Sequence, residues 1–161
     1  MTPLGKSERA WAALHQVLDP EVPALSICDL GIVRDVVESG RGIEVVLTPT
    51  YSGCPATEVI AQNVQDALGV AGLGPVTVTY RKAPAWTTDW ISAAGRQKLH
   101  EYGIAPPGHA SNAISIRPRG IDCPRCDSAQ TERLSAFGST ACKALYRCLA
   151  CREPFEYFKP I

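Results

Sequence analysis

Seven cysteines carry most of the chemistry this sequence can offer, and five of them fall in the last 39 residues. Cys123-Pro-Arg-Cys126 and Cys148-Leu-Ala-Cys151 are two Cys-x-x-Cys knuckles separated by 21 residues. A tight turn between paired cysteines aims both sulfurs at one point, and two such turns at the ends of hairpins complete a tetrahedral sulfur site. The spacing therefore predicts metal ligation by Cys123, Cys126, Cys148 and Cys151. Zinc is the expected ion, and iron suits the same sulfur tetrahedron. A closed site of this kind folds a small tail and is otherwise inert. Two other readings stay open: a rubredoxin-like iron centre that carries electrons, and a basic ribbon that touches nucleic acid. The second is weakly supported, since eight basic residues from 117 onward are diluted by five acidic ones and no stacking array stands out.

Cys142 is the surplus cysteine of the tail, in Phe137-Gly-Ser-Thr-Ala-Cys-Lys143. The run is not a phosphate-binding loop, because the Gly-Lys-[Ser/Thr] ending is missing. Cys142 is either a small inert residue in a turn or a free thiol whose thiolate is favoured by the adjacent Lys143.

Cys54 stands apart from the tail, after Pro49-Thr-Tyr-Ser-Gly53 and before Pro55. Proline suits the first position of a helix, which places Cys54 at the N-cap of a helix over Ala56–Val70. There the unsatisfied N–H groups and the positive dipole end favour a thiolate, and the Tyr-Ser-Gly loop leaves it accessible. The competing reading is a buried small hydrophobe. Asp19-Pro-Glu21 is a second oddity: acidic residues just past a helix C-terminus sit at the wrong end of the dipole. Such departures hint at function, although solvated turn residues also produce them. Cys28, beside Asp29-Leu-Gly31, reads as core packing, and His15, His100 and His109 share no ligand spacing. There is no dinucleotide-binding glycine motif, nucleophile elbow, His-Glu-x-x-His or paired-carboxylate helix, so nothing assembles an autonomous enzyme active site.

The elements that must position these residues can be read from periodicity. Ser7–Leu18 predicts a helix with Trp11, Leu14, Val17 and Leu18 on one stripe, stopped by Pro20 and Pro23. Ile32–Glu38 and Ile43–Thr48 are strands joined by the turn-forming Ser39-Gly-Arg-Gly42. After the helix from Ala56 come a strand over Val76–Arg81 and a third helix from Thr88 and Asp89 to Tyr102, ended by Gly103. In the tail, Thr131–Phe137, Ala144–Cys148 and Pro154–Phe158 are strands of a zinc ribbon. The expected fold class is α+β: a small, mostly antiparallel sheet packed with helices, then a small four-cysteine zinc-ribbon β domain. The expected domains are residues 1–105 and 121–161, with 106–120 as a linker.

Length and charge agree with a divided chain. The 161 residues at 17.3 kDa suggest one ordinary domain, and 45% hydrophobic with 20% charged residues excludes wholesale disorder. The net charge of zero hides a split: residues 1–116 carry 8 basic and 11 acidic side chains, residues 117–161 carry 8 and 5. A tail of about 40 residues is below the size at which a hydrophobic core usually suffices, so it needs a staple. The N-terminal residues hold no apolar signal core and no stretch reaches membrane-spanning length, so a reducing cytoplasmic location is expected, with no membrane partner.

Taken together, Asp19-Pro-Glu-Val-Pro23, Asp29-Leu-Gly-Ile32 and Leu47-Thr-Pro-Thr-Tyr-Ser-Gly-Cys-Pro55 resemble the metal–sulfur cluster assembly (SufT-like) domain, over roughly residues 7–105. Trp86-Thr-Thr-Asp-Trp90, the run Arg96–Pro107, Cys123-Pro-Arg-Cys126 and Phe137–Tyr146 are similar to the PaaD family of the phenylacetyl-CoA epoxidase system, nearly end to end. The resemblance implies a bacterial cytoplasmic accessory subunit of aerobic phenylacetate breakdown. Its partners would be the diiron oxygenase subunits and the reductase that carries a [2Fe–2S] cluster and flavin. It implies a role in maturation, by cluster or iron insertion, in which the loop cysteine matching Cys54 handles the cluster. A [2Fe–2S] cluster needs four protein ligands, so a second copy of the chain or the client would supply the rest, with Asp19 or Glu21 contributing if the fold brings them near. The alternatives are a non-catalytic scaffold of the epoxidase complex and an electron carrier working through the tail metal.

Overall fold

The computed structural model describes residues 4–108 and 120–161. By compactness the chain divides between Ser92 and Ala93. The sequence placed the boundary after residue 105; most of the expected linker, with His109, lies outside the described residues.

The first unit opens with α1 (Lys6–Leu14). Its N-cap is Gly5, whose N–H donates to Glu8 Oε2 at 2.9 Å, so the expected Ser7 cap lies inside the helix. The helix stops four residues earlier than the apolar spacing suggests. The reason is long-range: Ile27 N–H donates to Val17 O and Asp19 N–H to Leu25 O, both at 2.9 Å, which commits residues 17–19 to extended pairing. Next come β1 (Val33–Ser39) and β2 (Gly42–Leu47), an antiparallel hairpin as the alternation predicted. Then α2 (Thr57–Val70) crosses over to β3 (Val76–Tyr80). A helical crossover returns the chain in the same direction, so β3 pairs parallel to β2 and the three-stranded sheet is mixed, in the order β1-β2-β3. The core joins Ala10 and Leu14 of α1 to Val45 and Leu47 of β2 and to Ile60, Val64 and Leu68 of α2, all buried.

The segment after β3 was expected to begin the third helix. Instead Thr88–Trp90 is a single 3-10 turn. Ser92 N–H donates to Asp29 O at 2.8 Å and Trp86 Nε1–H to Leu30 O at 2.8 Å, so residues 86–92 are tied to the Asp29-Leu-Gly31 turn. That turn is itself closed by reciprocal bonds, Asp29 N–H to Ser26 Oγ and Ser26 N–H to Asp29 Oδ2. Gly31 is required there: its φ is +73°, and a Cβ would lie 2.6 Å from Trp90 O.

The second unit begins with α3 (Ala93–Tyr102), followed by the two-residue strand β4 (Ile104–Ala105). Three further strands follow: β5 (Thr131–Ser135), β6 (Lys143–Cys148) and β7 (Pro154–Phe158). Their order is β4-β7-β6-β5, antiparallel except for the parallel β4–β7 pair. Pairing of β4 with β7 is what groups the third helix with the ribbon. Ala105, Cys123, Cys148 and Phe155 form its small core, flanked by Ile121, Tyr146 and Tyr157.

Candidate functional site

The four knuckle cysteines converge. Their ligand atoms lie within 4.8 Å of one another, with Cys123 and Cys151 Sγ 3.8 Å apart and Cys126 and Cys148 Sγ 3.6 Å apart. Zinc–sulfur bonds of about 2.3 Å in a tetrahedron give sulfur separations of about 3.8 Å, so the donor set fits such an ion. Backbone geometry makes the convergence possible. Arg125 N–H points at Cys123 Sγ and Cys151 N–H at Cys148 Sγ, both at 3.4 Å. Each knuckle is followed by a residue with positive φ, Asp127 at 58° and Arg152 at 69°, which turns the chain out of the loop. These sulfurs can hold one tetrahedral ion, and they are the only group of three or more His, Cys, Asp or Glu ligands that gathers among the described residues.

Cys142, by contrast, stays outside the cluster. It is buried, with its Sγ 3.0 Å from Thr140 Oγ1. The neighbouring Lys143 is also buried and directs its ammonium to Glu156 Oε2 at 3.1 Å.

In the first unit, the loop before α2 places Cys54 differently from expectation. The N-cap of α2 is Ala56, so Cys54 lies two residues ahead of it. Its carbonyl accepts from Thr57 N–H at 3.2 Å and Thr57 Oγ1 at 2.6 Å, which fixes the entry to the helix. Cys54 N–H in turn donates to Tyr51 O at 3.4 Å, closing a four-residue turn. Gly53 has a φ of +79°, the conformation this turn needs at its third position.

Asp19 and Cys54 line the same shallow pocket, together with Thr57, Tyr80 and the apolar Ile32 and Leu47. Tyr80 O–H donates to Thr57 O at 2.8 Å, so the far wall is braced on α2. Partial burial first, then the nearby Glu58 and Cys54, raise the Tyr80 hydroxyl above its ordinary range and keep it a proton donor. Asp19 is buried, and its Oδ1 accepts from the N–H groups of Glu21 and Val22 at 2.8 and 2.9 Å. This corrects the dipole reading: α1 ends at Leu14, and Asp19 acts five residues later as the acceptor that folds its own turn. Glu21 does not line the pocket; its Oε1 accepts from Tyr51 O–H at 3.2 Å. Cys28 belongs to neither site. Burial, followed by the charge of Asp29, pushes its thiol up to about 12, consistent with packing.

Sequence reasoning missed Tyr51, Thr57 and Tyr80 as site residues. Tyr51 lies inside the loop motif around Cys54 but shows no role there, and Tyr80 reads only as one side of an alternating strand.

Residues 7–80 match the model described as iron-sulfur cluster assembly protein, and residues 108–159 match the PaaD zinc beta ribbon domain. The chain is 53% identical over 152 residues to an Escherichia coli (strain K12) protein named as a subunit of 1,2-phenylacetyl-CoA epoxidase, covering 94% of this chain and 91% of that one. It is 34% identical to the Fe-S protein maturation auxiliary factor YitW of Bacillus subtilis (strain 168), over 53% of this chain and 84% of that one. Among solved structures, a domain of unknown function (DUF59) from Bacillus anthracis superposes with a TM-score of 0.54 at 27% identity, covering 58% of this chain and 91% of that one. The expected α+β assembly-type fold with its four-cysteine cluster is thus observed. No helix of the described residues is long and apolar enough to cross a membrane.

Proposed function

The chain belongs to the PaaD family of the phenylacetyl-CoA epoxidase system, and from that membership we propose that it is a cytoplasmic accessory subunit of the epoxidase of aerobic phenylacetate breakdown. It acts in maturation, delivering iron or an iron–sulfur cluster to the reductase or oxygenase subunits, and does no ring chemistry itself. The observation that carries this reading is the setting of Cys54. Its thiol shares a pocket with the buried carboxylate of Asp19, and no group of three or more His, Cys, Asp or Glu ligands forms around it among the described residues.

A cluster of four ligands held by one thiolate is held incompletely, which suits a carrier and not a resident redox centre. Cys54 supplies one sulfur to the cargo. The client, or a second copy of the chain, supplies the others, and transfer proceeds by exchange of the Cys54 thiolate for a client thiolate. Asp19 and Glu21 shape the approach to it. The tail site is separate: Cys123, Cys126, Cys148 and Cys151 hold a structural ion, taken as zinc, that folds the ribbon.

The test measures iron and sulfide in the reductase and oxygenase subunits produced with this protein, without it, and with its Cys54→Ser variant. Clients loaded only in the presence of the natural protein support delivery. Fully loaded clients in all three preparations exclude it, and weakened complex assembly alongside full loading identifies a scaffold.

A further inference from the structure

Glu21 and Tyr51 join two turns that the sequence keeps thirty residues apart, and each turn already carries one half of the candidate site. The first turn is folded by Asp19 Oδ1, which accepts from Glu21 and Val22 N–H and so fixes where the Glu21 side chain starts. The second is the Tyr51–Cys54 turn, whose ends are drawn together by the 3.4 Å bond from Cys54 N–H to Tyr51 O. The bond from Tyr51 O–H to Glu21 Oε1, at 3.2 Å, links the two turns.

We propose that Tyr51 is a positioning residue that latches the Cys54 turn to the Asp19–Val22 turn through Glu21, holding the Cys54 sulfur half-buried in the pocket it shares with Asp19. This rests on the reading of Cys54 as the cargo ligand and describes how that ligand is kept in place between deliveries. Partial burial, with the charges of Cys54 and Glu21 behind it, raises the Tyr51 hydroxyl well above its ordinary range. The hydroxyl therefore stays a donor, as the latch requires. A half-buried thiol reacts more slowly than an exposed one, so the latch limits attack on Cys54 by small electrophiles and oxidants while leaving it open to a partner that displaces Tyr51.

The experiment is alkylation of the full-length protein by iodoacetamide at fixed pH, with the Cys54-containing peptide followed by mass spectrometry. Tail metal content and circular dichroism serve as controls for folding. Tyr51→Phe and Glu21→Ala should each speed modification of Cys54 several-fold. The double variant should be no faster than either single one, since both break the same link. Glu21→Gln keeps an acceptor oxygen and should remain close to the natural protein. A Tyr51→Phe rate equal to or below the natural one overturns the latch, as does a Glu21→Gln variant as fast as Glu21→Ala. Neither cluster nor client enters this assay, so its failure is separable from failure of the delivery reading.

Discussion

Lys143 Nζ lies 3.1 Å from Glu156 Oε2 across the β6–β7 pair, with the lysine side chain almost wholly buried. Ser139 N–H reaches Glu156 Oε1 at 2.5 Å, so the same carboxylate ties the 137–142 loop to the sheet. Breaking a buried pair by removing one partner is strongly destabilising, because the other charge is left uncompensated. Lys143→Met should lower the stability of the second unit by about 3 kcal/mol, the lower end of that range, since Glu156 keeps some solvent contact. Denaturant unfolding followed by the Tyr146 and Tyr157 environment would measure it.

The same pair sets an acid limit. Burial works to raise the Glu156 pKa, but the Ser139 N–H and the Lys143 ammonium outweigh it and hold the carboxyl below its ordinary value. A depressed carboxylate contributes stability that is present above its unfolded pKa of about 4.5 and lost as pH falls through the folded one. The stability difference between the natural protein and Glu156→Gln should therefore be constant at neutral pH and shrink below about pH 4.5. A difference that persists unchanged into strong acid would contradict this.

Metal removal should act on one unit. A strong chelator is expected to abolish the ribbon strands and make residues 121–158 protease-sensitive, while residues 4–92 stay protected. The purified protein should be colourless and give one zinc per chain on elemental analysis. A red protein with one iron would instead support the electron-carrier reading of the tail.

Two glycines separate space from backbone conformation. At Gly31 a Cβ would meet Trp90 O at 2.6 Å, while at Gly53 nothing lies within 4 Å. Both have positive φ. Gly53→Ala should cost about 1 kcal/mol, the backbone term alone, and Gly31→Ala about 2–4 kcal/mol, because a steric clash adds to it. Thermal unfolding of the two variants side by side would test the ratio.

Arg152 offers the reverse case. It occupies a left-handed conformation with φ of 69° after the second knuckle. Arg152→Gly relieves about 1–2 kcal/mol of backbone strain, and glycine's extra freedom in the unfolded chain offsets about 0.5–1 of it. A net gain of about 0.5–1 kcal/mol is expected, visible as a slightly higher Tm for the metal-bound protein.

Where local chemistry decides the structure, the sequence was legible. The β1–β2 hairpin, the body of α2, the three long ribbon strands and the sulfur tetrahedron all follow from alternation, helical spacing and the two knuckles. Long-range pairing was not. The apolar stripe continues past Leu14, but residues 17–19 pair with 25–27, and the third helix loses its first turn because Ser92 is bound to Asp29. Proline at position 55 suggested a cap at Cys54, yet Cys54 is used one turn earlier, by Tyr51 and Thr57. The link from Tyr51 to Glu21 has no local signature at all, since it depends on two turns meeting in space.

The strand order β4-β7-β6-β5 has a consequence for how the protein is made. β7, the latest in sequence of these four strands, sits between β4 and β6, not at an edge. During synthesis, Ile104 and Ala105 wait without their hydrogen-bonding partners until residues 156 and 157 emerge. All four ligand cysteines precede β7, so they can gather around an ion before the sheet closes. The order of the chain thus allows the sulfur site to form before insertion of β7 completes the ribbon.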